Sequence, residues 1–414
     1  MSTLKTINIV HPSGSPTNLV LGNDGSLTVA NTATFSNTIS VTGAATFSNT
    51  VTVTNNITAA GTVSMGSPFS NRNKIINGNF NFWQRGFGYS TGTPYFVNSP
   101  SHYSADRWCG MGYQQGRHFL VYDLNGFGTT GLSSINAMRV SSSTTSETAQ
   151  GTRLALAQKI AYDECYNLQG KSITLSFWIK FSAATFTSVS NSGDSAFGDF
   201  RYGIYFNTTG SYNAATWTDS TPDSSTVLTI ANGSLPTVWT KYTVTTTCPG
   251  SLRNISVRFG STNCGSTAIA DSLYYQITEV QLEEGNIATP YELKGYNEQL
   301  AQCQRYYEKS YNLNVPVGSQ TTYGAVRLRA AAVDFWYYVQ YKVTKRAATT
   351  AATVYSNRAA NNPGYLYQVD GTGFPADRAV TTSSVSETGF HLYCSTIGAT
   401  GALIEFQWTA DAEL

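Results

Sequence analysis

The stretch Ser172-Ile173-Thr174-Leu175-Ser176-Phe177-Trp178-Ile179-Lys180-Phe181 sets the reading of this chain. Ile173, Leu175, Phe177 and Ile179 alternate with Thr174, Ser176, Trp178 and Lys180, the period of two that sends successive side chains to opposite faces of a strand. One face is apolar and suits a core, while the other is polar except for one indole. Similar segments follow at Val227 to Ile230, Trp239 to Thr245, Ile255 to Phe259 and Leu273 to Leu282, divided by Gly/Ser/Asn loops. Many short strands with turn signals predict a β-sandwich or jelly roll over residues 71–294.

Composition points the same way. Only 12% of the 414 residues are Asp, Glu, Lys or Arg, about half of the roughly 25% usual in soluble domains. Ser, Thr, Asn and Gly must solubilise the surface, and with 26 Tyr and 20 Phe they favour strands and turns over helices. Basic and acidic side chains nearly cancel, at 25 against 24, and no Lys/Arg cluster offers the stripe that a phosphate backbone requires, so nucleic acid is not expected as a partner. Membrane insertion is not expected either, since no apolar run approaches a span. The opening Met1-Ser2-Thr3-Leu4-Lys5-Thr6 lacks a signal peptide's apolar segment, so folding in a cytoplasm is expected. Six cysteines, Cys109, Cys165, Cys248, Cys264, Cys303 and Cys394, show no C-x-x-C spacing and predict buried free thiols rather than a zinc site or disulfide framework. No cofactor or metal is implied.

Beyond the sandwich, Tyr296, Leu300, Cys303, Tyr307 and Tyr311 recur at helical spacing, with Glu298 early and Lys309 late, which predicts a helix over residues 297–311, within a connecting segment 295–311. A stripe of this spacing suits packing on its own domain or a three-helix contact on a symmetry axis. A second β-rich region fills residues 312–414. There Phe335, Tyr337, Val339, Tyr341 and Val343 form one strand face, and Asn361-Asn362-Pro363-Gly364 marks a turn before Tyr365-Leu366-Tyr367.

The first seventy residues differ. From Leu27 a twelve-residue repeat runs Leu27-Thr28-Val29, Ile39-Ser40-Val41, Val51-Thr52-Val53, Val63-Ser64-Met65, with Thr-Phe-Ser-Asn-Thr occurring twice around Phe35 and Phe47. Each unit offers one apolar face that it cannot bury alone. Three copies about an axis would bury Leu27, Phe35, Ile39, Phe47, Val51 and Val63 against one another, as a fibrous shaft requires; a disordered Ser/Thr/Asn linker is the alternative. Upstream, Leu19-Val20-Leu21 and Leu27-Thr28-Val29 flank Gly22-Asn23-Asp24-Gly25, a turn signal between two strands.

Asn73-Lys74-Ile75-Ile76-Asn77-Gly78-Asn79-Phe80, Phe82-Trp83-Gln84-Arg85-Gly86 and Ala105-Asp106-Arg107-Trp108 resemble the opening of a widespread group of bacteriophage tail-fibre domains with a carbohydrate-binding-module-like jelly roll. Ser176-Phe177-Trp178-Ile179-Lys180, Val280-Gln281-Leu282-Glu283-Glu284-Gly285, Ala288-Thr289-Pro290-Tyr291-Glu292, Cys303-Gln304-Arg305-Tyr306-Tyr307 and the terminal Thr409-Ala410-Asp411-Ala412-Glu413-Leu414 follow in that group's order. Tyr341 to Ala348 departs from the group's pattern. The resemblance implies a homotrimer on the virion: attachment to phage tail or baseplate proteins through 1–26, a shaft over 27–70, the jelly roll over 71–294, the connecting helix, and a receptor-binding tip over 312–414. Asp106-Arg107-Trp108, Trp83 and Trp178 read as structural core groups, because buried polar groups need partners.

Recognition of a host glycan or other receptor is expected on tip loops displayed by a rigid scaffold. Tyr365 and Tyr367 offer rings, and Asn361, Asn362, Asp370, Asp377 and Arg378 offer hydrogen bonds; the alternative is that both tyrosines pack inward. Tyr212 and Trp217 form a second candidate platform. Catalysis finds less support. Gly88-Tyr89-Ser90-Thr91-Gly92 matches G-x-S-x-G, but Pro94 and Pro100 follow where its helix should start. Gly170-Lys171-Ser172 reads as a turn, and His11, His102, His118 and His391 are isolated. Asp163, Glu164, Asp194, Asp199, Asp219 and Asp223 are carboxylates from which a glycosidase pair could be drawn. The expected function is therefore an adhesive fibre protein rather than an enzyme, with a polysaccharide-degrading spike or a head or neck fibre as alternatives.

If the repeat and the helical stripe trimerise, light scattering returns three times the chain mass of 44.7 kDa; a stable monomer at micromolar concentration contradicts this.

Overall fold

A computed structural model describes residues 71–86, 103–110, 132–142, 156–186, 199–209, 223–261, 273–348, 351–370, 375–398 and 400–413, together with the strands Asn8–Ile9, Leu19–Leu21, Leu27–Val29, Tyr95–Val97 and Gly116–Tyr122. The chain divides into Met1–Ser64 and Met65–Leu414. In the first unit β1 (Asn8–Ile9), β2 (Leu19–Leu21) and β3 (Leu27–Val29) form an antiparallel sheet in that order. Leu21 pairs with Leu27, as the intervening Gly22-Asn23-Asp24-Gly25 predicts. Leu27 lies on β3, while Phe35, Ile39, Phe47, Val51 and Val63 fall outside the described residues.

The second unit begins with a β-sandwich. Its elements are β4 (Tyr95–Val97), β5 (Gly116–Tyr122), β6 (Asn136–Ser142), β7 (Leu156–Ile160), the single turn α1 (Tyr162–Cys165), β8 (Ser172–Phe181), β9 (Phe200–Asn207), β10 (Ser224–Ile230), β11 (Thr240–Thr247), β12 (Asn254–Ser261) and β13 (Tyr274–Glu284). One antiparallel sheet has the order β10-β9-β12-β7 and the other β11-β8-β13-β6-β5-β4. Ile173, Leu175, Phe177 and Ile179 are fully buried, so the alternation read from β8 is the inner face of the larger sheet. Opposing residues Tyr202 and Phe259 meet the Phe177 ring edge-on at 5.0 and 4.9 Å, the arrangement that aromatic quadrupoles favour.

On β13 the alternation breaks. Glu279 sits at φ 51, the register against β8 shifts between Thr278 and Gln281, and this bulge lets Ile277, Val280 and Leu282 all face inward. The Asn73–Phe80 segment is laced to it: Lys74 N–H donates to Leu282 O, and Val280 N–H donates to Gly78 O. A Cβ on Gly78 would lie 2.1 Å from Val280 O, so only glycine permits this approach. The Asn77 amide donates to Phe82 O and Asp106 O, and the Trp108 indole donates to Asn77 O at 2.9 Å. These motif residues are core, not ligand contacts.

The helix is shorter than its stripe suggests. α2 spans Tyr296–Gln304, and the chain then extends as β14 (Tyr307–Lys309), followed by β15 (Val326–Arg329), β16 (Phe335–Gln340), β17 (Ala351–Tyr355), β18 (Tyr365–Gln368), β19 (Ala376–Ala379), β20 (Thr381–Ser383), β21 (Gly389–Cys394) and β22 (Leu403–Asp411). The 295–311 helix is corrected because Tyr307 pairs with Asp411 of β22, a partner far along the sequence. Of the three residues offered for a symmetry-axis contact, Cys303 and Tyr307 are buried inside this chain and Leu300 is half-buried. Cys303 is buried with Ile76, Phe82 and Tyr306, Leu300 packs on the same cluster, and Tyr307 is buried beneath the Arg85 guanidinium. Most of the stripe is covered by its own chain, while Tyr296 stays exposed at its start.

β22 is the spine of the last region, pairing with β14 and β15 along one edge and with β17 and β18 along the other, while β19 adds to β18. A second sheet, β16-β21-β20, shares a separate core with it through Phe335, Val339, Phe390, Leu392, Phe406 and Trp408. Within the departing stretch Tyr341 to Ala348, Lys345 is fully buried and paired with equally buried Glu308 at 2.6 Å. The five described cysteines are free and buried; Cys264 lies outside the described residues.

A buried ionic cluster joins the sandwich to the C-terminal region. Arg107 is fully buried at φ 73, stacks on Tyr306 at 3.4 Å and pairs with Glu413. Arg85 stacks on Tyr307 at 3.7 Å and pairs with Asp411 at 3.0 Å and Glu413 at 3.4 Å. Asp106 accepts from Gln84 N–H and its side-chain amide, yet burial raises its carboxyl to about 6 from 3.8 against the pull of Arg85. Between about pH 4 and 6 the folded chain therefore holds a proton that the unfolded chain has released, and its stability falls as pH rises across that window. Denaturant melts of the wild type and Asp106→Asn should show the wild type losing about 1–3 kcal/mol relative to the variant between pH 4.5 and 7. A constant difference contradicts the assignment.

Candidate functional site

The segment proposed from sequence resolves into two faces. Leu366 and Gln368 of β18 are buried, whereas Tyr365 is 37% exposed and Tyr367 half-buried on the outer side, so the tyrosines do not pack inward. Asp377 is the cross-strand partner of Tyr367, and Arg378 is that of Leu366. Facing residues share a side of the sheet, which brings Tyr365, Tyr367 and Asp377 together and puts Arg378 on the opposite face.

The polar groups of this segment are engaged by their own chain. Asp377 accepts from Ser356 Oγ and from the Asn362 amide. Asp370 accepts from Leu403 N–H at 2.6 Å and from Arg329 at 3.3 Å; the backbone donor and then the guanidinium hold its carboxyl below the usual range. Asn361 is exposed in a left-handed conformation, φ 48, with its N–H on Gly318 O. Beside Tyr367, the buried Glu405 is clasped by Arg327 at 3.2 Å, Arg358 at 3.3 Å and Asn357 at 2.8 Å. The face is knitted together with few polar groups left for a ligand. Tyr212 and Trp217 lie outside the described residues.

Three of the carboxylates considered for glycan cleavage are also held. Asp223 accepts from the N–H and hydroxyl groups of Thr208 and Thr209, which lower its carboxyl to about 2. Asp199 accepts from Asn232 N–H. Asp163 pairs with Arg305 on the wall of a cleft of about 430 Å³ also lined by Glu164, Tyr166, Lys294 and Glu298. Asp194 and Asp219 lie outside the described residues.

The sheet β16-β21-β20 carries a site that the sequence reading passed over. In Phe335-Trp336-Tyr337-Tyr338-Val339-Gln340, Phe335 and Val339 go to the core, which turns Trp336 and Tyr338 outward at 58% and 41% exposure. Register places Tyr393 opposite Trp336 and His391 opposite Tyr338. The ring centroids are 4.4 Å apart in the first pair and 5.1 Å in the second. On the other side of β21, Thr381 faces Tyr393 and Ser383 faces His391. Two rungs result, each an aromatic pair ending in a hydroxyl residue. At the rim, Tyr393 Oη donates to Asp334 at 3.4 Å, and the Tyr338 and Thr388 hydroxyls lie 3.1 Å apart.

A lone exposed aromatic needs no explanation, but two exposed rings each packed against a half-buried one on the same sheet face make a candidate interaction surface. Indole and phenol rings stack on apolar faces while their edges and neighbouring hydroxyls exchange hydrogen bonds, which is the chemistry of a shallow saccharide site. The signal was present in the sequence, since in a sheet with one solvent face a strand that is aromatic on both sides leaves one set of rings outside the core.

No protein-family model and no curated protein matches the chain. Among solved structures, it is similar to the enzymatically active domain of bacteriophage CBA120 tailspike protein 4, with 14% identity over 51% of this chain and 21% of that one and a TM-score of 0.28. It is also similar to TmCBM61 in complex with β-1,4-galactotriose, with 10% identity, 52% and 99% coverage and a TM-score of 0.27. The Clostridium thermocellum endo-1,4-β-D-xylanase 10B CBM22-1–GH10 modules complexed with xylohexaose give 10%, 52% and 29%, and 0.28. Likeness of this degree assigns neither activity nor ligand to the chain.

Proposed function

We propose that the chain is a bacteriophage fibre protein, trimeric through its N-terminal repeat, whose C-terminal region adsorbs to a glycan on the host surface. The observation that carries the reading is the open aromatic face formed by Trp336, Tyr338, His391 and Tyr393. The ordered series of tail-fibre-like motifs from Asn73 to Leu414 and the twelve-residue repeat support the virion role. A site this shallow binds weakly: at millimolar strength each contact contributes about −4 kcal/mol, and three tips engaging together raise the avidity.

Adsorption separates the two tip faces. Trp336→Ala, with its fold checked by circular dichroism, should lower adsorption to host cells by about tenfold or more, because one weak contact is lost at every tip. Joint replacement of Tyr365, Tyr367 and Asp370 by Ala should lower it far less. Unchanged adsorption of Trp336→Ala contradicts the placement.

A further inference from the structure

Resting on the glycan-binding reading, we infer that the platform takes a linear, uncharged glycan lying along β16 and β21, with two consecutive sugar residues each on its own rung. The two pairs, Trp336 with Tyr393 and Tyr338 with His391, are successive outward positions of the same two strands. Outward positions repeat every second residue, about 6.5–7 Å along a strand. The rings thus form a track along the strands rather than a single socket for a chain end. Tyr338 is laid down over the sheet, since a Cβ added to Gly389 would come within 2.5 Å of both Cζ and Oη of its ring. A ring in that posture offers a face to a ligand above, and His391 extends the surface beside it.

Charge selects the chemical class. None of β16, β20 and β21 contains a lysine or arginine, the permanently charged side chains that pair with carboxylates, sulfates and phosphates, and His391 is the one basic side chain on these strands. The polar groups around the rings are the hydroxyls of Thr381, Ser383 and Thr388, the Gln340 amide, and the Asp334 carboxylate that accepts from Tyr393. These suit sugar hydroxyls, and Asp334 repels an anionic sugar. The Tyr365 and Tyr367 face differs, because it is crossed by Arg327, Arg358 and Glu405.

The test uses the full chain on an array of mono-, di- and tetrasaccharides of neutral hexoses and N-acetylhexosamines, beside uronic-acid and sulfated series of the same lengths. The inference predicts binding to the neutral series that rises about two- to tenfold from monosaccharide to disaccharide, the gain of one further ring contact, with anionic series weaker. Trp336→Ala should remove binding throughout, while Tyr338→Ala should leave monosaccharide binding and abolish the gain with length. Equal binding to mono- and tetrasaccharides, or preference for the anionic series, overturns this inference and leaves glycan binding standing. Absence of binding to any sugar, or binding indifferent to Trp336→Ala, overturns both; a lower oligomer mass for Trp336→Ala would then identify the face as a contact between copies.

Discussion

The second unit depends on the burial of one guanidinium. Arg107 has no access to solvent, and an unpaired charge in that position would cost several kcal/mol. Glu413, next to the last residue of the chain, supplies the counter-charge. Around this pair gather Arg85, Asp411, Tyr306 and Tyr307, so that β14 and the end of β22 are drawn onto the sandwich's opening motif. Ala412 N–H donates to Tyr306 O and Arg346 N–H to Arg305 O, adding backbone bonds to the ionic ones. Pairing buried charges is weak as a source of net stability. Its consequence here is placement: the register of β22 is fixed against the sandwich, and with it the strands that pair along both its edges.

β22 also positions the site. Phe406 and Trp408 on this strand share a core with Phe390, Leu392, Phe335 and Val339 from the second sheet. Packing those side chains inward compels their neighbours Trp336, Tyr338, His391 and Tyr393 outward, because strand side chains alternate. The platform is thus the reverse side of a core. Its rings stand on strands rather than on loops, which lowers the ordering cost of binding any flexible ligand.

The part of the fold governed by local alternation was legible in the sequence. β8 reads directly from Ser172 to Phe181, and the turn before Leu27 reads from its glycines. Non-local pairing was not legible. Tyr307 and Tyr311 continue the helical spacing of Leu300 and Cys303, yet β14 forms because Tyr307, Glu308 and Lys309 find Asp411, Ala410 and Thr409. The Glu279 bulge likewise depends on Gly78 lying against Val280. At the candidate site, exposed rings do occur in the C-terminal region, on Trp336 and Tyr338, whereas the Gly/Pro-rich segment around Asn362 stands out in the sequence for its polar groups. Those groups serve the segment itself, with Asn362 on Asp377 and Asp370 on Leu403. Trp336 and Tyr338 were overlooked because the face of the strand bearing Phe335 and Val339 accounts for it as core.

The proposed contact between glycan and the outer face of β16-β21-β20 can be read at a single indole. The chain has seven tryptophans, and Trp83, Trp108 and Trp408 are buried while Trp336 stands open. Fluorine NMR of the 5-fluorotryptophan-labelled protein, titrated with the host's surface polysaccharide, reads each indole separately. The account predicts that the Trp336 resonance, assigned by its loss in Trp336→Phe, shifts with glycan concentration while those of the buried indoles stay in place. A titration in which Trp336 stays in place while the chain is bound to glycan would contradict it.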